Sequence, residues 1–209
     1  MRLEAMAITM PEVGDHPNRI SFEGVLTTVD EASTRPPSGA RGHRVILTQT
    51  AAREALPSLL GMAVDYAPKW DGHDARAKCG IITEADVIGN QLQVGGYLFG
   101  RDFPEVVRQL QHSESGSMGM SYELADAHVA DMRAEVWTLT RAIFTGAAIL
   151  LREKAAYRNT SFRLSAGRCR NSNSLRESNR AKLAARSGRP FETQFWGQTK
   201  EGRKRNGNR

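Results

Sequence analysis

Gly80-Ile81-Ile82-Thr83-Glu84-Ala85, then Gly89-Asn90, then Gln91-Leu92-Gln93-Val94-Gly95-Gly96-Tyr97-Leu98-Phe99 read as a strand, a turn and a returning strand. Isoleucine, valine and aromatics recur with a two-residue period, and the Gly-Asn pair supplies the turn. Gly95-Gly96 lies inside the second strand pattern and reads as a bulge, not as a phosphate loop. Outward from this hairpin, other short segments have the same character. Arg19-Ile20-Ser21-Phe22-Glu23-Gly24-Val25-Leu26 and Arg44-Val45-Ile46-Leu47-Thr48 read as strands upstream. Met118 to Leu124, Ala127 to Met132 and Glu135 to Phe144 read as strands downstream. The apolar run Ala142 to Leu151 suits a buried strand or a short helix.

Helical signals are few and short. Thr50 serves as an N-cap for a helix over Ala51 to Leu56, with Pro57 forcing a restart that runs to Leu60 before Gly61. Phe103 to Leu110 sets Val106, Val107 and Leu110 on one face, with Pro104 in the first turn. Arg152 to Tyr157 gives a last helical turn or two. Six or so strands with short helices define a mainly β, α+β chain, a compact barrel or curled sheet with peripheral helices rather than a doubly wound fold.

The 209 residues carry a net charge of +6, and that figure hides a split. Residues 1–151 hold 13 Lys/Arg against 19 Asp/Glu, a balance of −6; residues 152–209 hold 16 against 4, a balance of +12. From Ser165 the chain is rich in Arg, Ser, Asn and Gly and poor in Val and Ile, the composition of a disordered segment. The expected organisation is therefore a flexible lead-in (1–17), a folded domain (18–164) and a basic low-complexity tail (165–209). A tail of this kind serves as a solubilising extension, as a contact for nucleic acid or an acidic partner, or as a site of proteolysis. No apolar run reaches membrane-spanning length, and Met1 to Val13 lacks the apolar core of a signal peptide. Two cysteines, Cys79 and Cys169, make neither a disulfide framework nor a four-ligand zinc site. Asp71, His73 and Asp74 share a loop with no second histidine at ligand spacing, so no metal or other cofactor is expected.

Two stretches carry chemistry. Gly116-Ser117-Met118-Gly119-Met120-Ser121-Tyr122-Glu123-Leu124 sets a serine between bulky residues on a strand after a Gly/Ser turn. Trp70-Asp71-Gly72-His73-Asp74, followed by Lys78-Cys79-Gly80-Ile81-Ile82-Thr83, sets a histidine in a loop before a strand. Taken singly, each is an ordinary surface residue. Their order, together with Phe22-Glu23-Gly24-Val25-Leu26, the stretch Ala55 to Val64, and Leu92 to Phe99 before Asp102-Phe103-Pro104, resembles the prohead (head maturation) serine proteases of tailed bacteriophages. The resemblance covers residues 19–164.

It implies a β-barrel ringed by helices, similar to the herpesvirus maturation protease, with Ser121 as nucleophile and His73 as general base. It further implies an endopeptidase acting in the host cytoplasm, inside the immature capsid. Its substrates would be the scaffold, the N-terminal region of the major capsid protein, and itself, and it would act with no membrane, as a monomer or a homo-oligomer. Members of the family carry an acid, and the herpesvirus enzymes a histidine, on a strand downstream of the serine. Here that strand is Trp137-Thr138-Leu139-Thr140-Arg141-Ala142-Ile143-Phe144, where Thr140 is the closest positional match; Glu135 and His128 are further candidates. The departure leaves a second reading open, an assembly or scaffolding protein that keeps the fold without the chemistry.

Overall fold

The structure, a computed structural model, describes Met6–Ala7 and residues 16–165. The expectation of a basic tail over 165–209 falls outside the described residues but for Ser165. Within the stretch read as a lead-in, Met6–Ala7 form a two-residue strand, β1. The other strands are β2 (Arg19–Thr28), β3 (Arg44–Leu47), β4 (Ala63–Tyr66), β5 (Lys78–Ile88), β6 (Gln91–Phe99), β7 (Met118–Val129), β8 (Val136–Leu151) and β9 (Ser161–Leu164). Helices α1 (Gln49–Ala55) and α2 (Pro104–His112) lie between them, and a 3-10 turn at Leu56–Leu59 follows α1. The chain is mainly β with peripheral helices.

The hairpin read from sequence is β5–β6, and it runs longer than its apolar core suggests. Gly89, at φ 61°, makes its turn. Antiparallel ladders continue from β6 to β2 and from β2 to β9, and on the other side from β5 to β4 and β1. The irregularity expected at Gly95-Gly96 falls on the partner strand, between Ile82 and Glu84. Gly96 permits the close approach there, because a Cβ would lie 2.0 Å from the Ile81 carbonyl oxygen.

β8 joins the two halves. One of its edges pairs antiparallel with β7 from Leu139 to Leu151. The other edge pairs in parallel with two strands, β3 along Val136–Leu139 and β4 along Ala147–Ile149. α1 and the 3-10 turn fill the space between β3 and β4. The hydroxyl of Ser58 accepts from the Phe144 N–H at 3.0 Å, and Thr48 donates to the Leu139 carbonyl at 3.1 Å, so these edge groups find partners without a strand.

Other sequence expectations are corrected as well. Thr48, not Thr50, caps α1, its side chain accepting from the Ala51 N–H. The strands expected over 127–132 and 135–144 are redrawn: Ala127 to Val129 finish β7, and β8 runs unbroken from Val136 through the alanine-rich run to Leu151. Arg152 to Tyr157 forms turns rather than helix. The short strands β4 and β9 were not expected.

The sheet curls around a core that includes Leu26, Leu47, Leu59, Val64, Ile82, Leu92, Leu98, Met120 and Ile149, all under 2 % exposed. The curl brings β7 against β2, although among the described residues no ladder joins β7 to β9. Gly24 makes the approach possible: a Cβ there would lie 2.6 Å from the Ser161 carbonyl oxygen and 2.9 Å from Met120 Sδ. Phe22 and Phe162 stack beside it with ring centroids 4.7 Å apart. The backbone of β9 has no cheap way to move aside. Gly24→Ala is therefore expected to cost about 1–3 kcal/mol, the range for overpacked cores. A denaturant midpoint unchanged by the substitution would show that β9 is not held in this way.

Candidate active site

Ladder register assembles the site. On β7, Ser121 pairs with Ala148 of β8; on β8, the same Ala148 pairs with Asp65 of β4; on β5, Lys78 pairs with Asp65. Directly paired residues project to the same face of a sheet, so Ser121, Ala148, Asp65 and Lys78 form one row. Which face this is follows from β8: Ala147 and Ile149 pack in the main core cluster, whereas Ala148 between them is equally buried but lies outside that cluster. The row therefore lies on the face opposite that core, where Ala148 and Asp65 are nonetheless buried. Ser121 and Asp65 are two strand spacings apart, about 10 Å at roughly 4.8 Å per spacing.

Asp65 is 1 % exposed. Its Oδ2 accepts from Lys78 Nζ at 2.7 Å, and its Oδ1 lies 3.4 Å from His73 Nδ1. The second contact is within ion-pair range but lacks the alignment of a full hydrogen bond, so Oδ1 and Nδ1 both count as unpaired by hydrogen-bond geometry. His73 Nε2 is buried as well, with no hydrogen-bond partner among the described residues. Burial opposes ionisation of Asp65, but pairing with His73 and Lys78 outweighs it and holds the carboxyl below its ordinary value of 3.8.

The loop that delivers His73 is tied down at several points. The Trp70 carbonyl accepts from the Leu151 N–H at 2.8 Å, joining the loop to the end of β8. The Trp70 ring stacks on Tyr66 at 5.0 Å. Trp70 adopts φ 55°, a left-handed conformation that a bulky residue enters at a cost of about 1–3 kcal/mol and keeps only where its surroundings enforce it. Beyond His73, Asp74 accepts from the Arg76 backbone and guanidinium and closes the loop toward β5.

The other candidates lie elsewhere. Thr140 does not serve as a third member. It is eight residues along β8 from Ala148, roughly 27 Å at strand rise, and its hydroxyl donates to the His128 carbonyl. His128 and Glu135 are exposed at that same far end. Cys79 adjoins Lys78 but is fully buried, and burial pushes its thiol up to about 12, so it offers no thiolate nucleophile at neutral pH. Among the described residues, no group of three or more His, Cys, Asp or Glu is arranged to hold a metal. Asp65 is the site residue that sequence reasoning missed. Its signal was a carboxylate between Val64 and Tyr66 in a strand, a place where aspartate is scarce.

No family model matches the chain, and no curated protein matches it in sequence. Solved structures of Kaposi's sarcoma-associated herpesvirus protease are similar to it. One, in complex with a hexapeptide phosphonate inhibitor, has a TM-score of 0.43 at 12% identity, over 82% of this chain and 78% of that one. A second, in complex with an allosteric inhibitor, has a TM-score of 0.44 at 14% identity, over 82% and 93%. A third, a room-temperature structure in complex with allosteric inhibitor compound 250, has a TM-score of 0.42 at 12% identity, over 84% and 95%.

The Asp65 cluster makes stability depend on pH with a definite sign. A carboxyl depressed in the folded chain contributes stability that is complete above its unfolded value, about 3.9, and is lost as pH falls through the folded value. The denaturant midpoint is expected to drop below about pH 4, with a shallower drop in Asp65→Asn. Equal slopes in the two chains would exclude Asp65 as a source. Lys78→Met leaves a buried carboxylate one partner short; because Lys78 is itself 40 % exposed, the expected cost is held to about 1–2 kcal/mol, read from the denaturant midpoint at pH 7.

Proposed function

We propose that this chain is a serine endopeptidase of virus-head maturation, with Ser121 as nucleophile and His73 as general base. The observation that carries the reading is the row across β7, β8 and β4: Ser121 shares a sheet face with the carboxylate against which His73 rests, with only the methyl of Ala148 between them. The five sequence landmarks shared with prohead proteases support the biological setting.

The chemistry follows from the residue types. A serine hydroxyl is a weak nucleophile at neutral pH and needs an imidazole to take its proton. Ser121 Oγ attacks the peptide carbonyl carbon while His73 Nε2 takes the hydroxyl proton. The tetrahedral oxyanion collapses, the C–N bond breaks, and His73 passes the proton to the leaving amine. Water then hydrolyses the acyl-enzyme by the same proton route in reverse. Substrates in this proposal are the scaffold, the N-terminal region of the major capsid protein and the chain itself, cut within the immature capsid. The strongly basic segment beyond residue 165 would serve as a contact for an acidic partner or as a self-cleavage segment.

Intact mass of the purified full chain, followed over time beside Ser121→Ala, tests this. The normal chain is expected to shorten, and Ser121→Ala to stay whole with cleavage slowed at least about 10³-fold. If both chains stay whole with capsid and scaffold proteins added, the endopeptidase reading fails and the assembly-protein reading takes its place.

A further inference from the structure

We infer that Asp65 is the positioning acid for His73, so that the third member of the site comes from the strand preceding the histidine. This rests on the endopeptidase reading of Ser121 and His73. The strand after the serine has no acid to offer: Ala148 occupies the position opposite Ser121, and Thr140 is far along the strand. Asp65 stands on the far side of that same alanine, in register with Ser121.

Three features give it the role. Oδ1 faces His73 Nδ1, whereas Oδ2 is taken by Lys78, so the two carboxylate oxygens have separate partners and the carboxylate is fixed in orientation. The carboxylate is almost wholly buried, so its field at the imidazole is little screened by water. Nε2 is buried with no hydrogen-bond partner among the described residues, so the nitrogen that must face Ser121 is not committed to another group. The two nitrogens of an imidazole point to opposite sides of the ring, so in this proposal a ring seated on Asp65 turns its Nε2 over Ala148 toward Ser121. The proton inventory is simple. Asp65 accepts the Nδ1–H, Nε2 presents its lone pair, and when Nε2 takes the Ser121 proton the imidazolium is stabilised by a carboxylate that itself stays ionised. The 3.4 Å contact is long for a hydrogen bond, as catalytic contacts often are before substrate tightens them.

A tautomer measurement on the full chain separates this from a purely structural Asp65–Lys78 pair. Imidazole nitrogen NMR of His73 in the Ser121→Ala chain, at a pH where the ring is neutral, is expected to show the Nδ1–H tautomer. Adding Asp65→Asn is expected to convert it to Nε2–H, and in the Ser121 chain the same substitution is expected to slow cleavage by about 10³–10⁴-fold. Lys78→Met removes the other partner and is expected to leave the Nδ1–H tautomer in place. An Nε2–H tautomer in the Ser121→Ala chain overturns the proposal, even if Asp65→Asn fails to fold. So does an Asp65→Asn chain that folds with tautomer and cleavage rate unchanged. An Nδ1–H tautomer in a chain that cleaves nothing supports Asp65 as the positioning group and overturns the endopeptidase reading.

Discussion

The register of β8 with its neighbours is the constraint on which the site depends. β8 holds β7 on one edge and β3 and β4 on the other, so one strand fixes the relative placement of three segments distant in sequence. Side chains alternate faces along a strand, and a slip of one residue would send Ser121 into the core and Met120 out of it. Burial of Met120, 1 % exposed, opposes that slip, because the slip would take its side chain out of the core. Core packing on one face thus determines the geometry of the polar row on the other.

Around that row, polar groups are buried in pairs. The Asp65 carboxylate would be costly in isolation and is tolerated because Lys78 and His73 share it. Lys78 keeps part of its side chain in water, so the pair is not a fully desolvated ion pair with its larger penalty. The loop carrying His73 is held by the Leu151–Trp70 hydrogen bond and by the stacking of Trp70 on Tyr66, which together maintain a backbone conformation that tryptophan rarely adopts.

What the sequence disclosed follows the range of the interactions involved. The β5–β6 hairpin was legible because strand alternation and a Gly-Asn turn are local. Ser121 and His73 stood out in the sequence only through an order of motifs, as candidates for the proposed chemistry. The length of β8 was not legible: Ala142 to Leu151 mixes alanine and leucine, good helix formers, with isoleucine, phenylalanine and threonine, which favour strands, and pairing with β7 and β4 decides between them. The cap of α1 was misplaced by two residues because Thr48 and Thr50 are equally good caps, and the contact of Thr48 with Leu139 decides between them. Asp65 escaped notice because its significance arises only from a register between strands that begin 55 residues apart, at Ala63 and Met118.

The placement of β8 has a consequence in time. Asp65 and Ser121 are brought into one row only by the last long strand among the described residues, and β8 ends at Leu151. During synthesis, at about 5–20 residues per second, several seconds separate the emergence of Asp65 from that of Leu151. Until then β4 and β7 have no common neighbour and no row exists. The order of strands in the gene thus acts as a delay, and the site is completed only after the strands that compose it have left the ribosome.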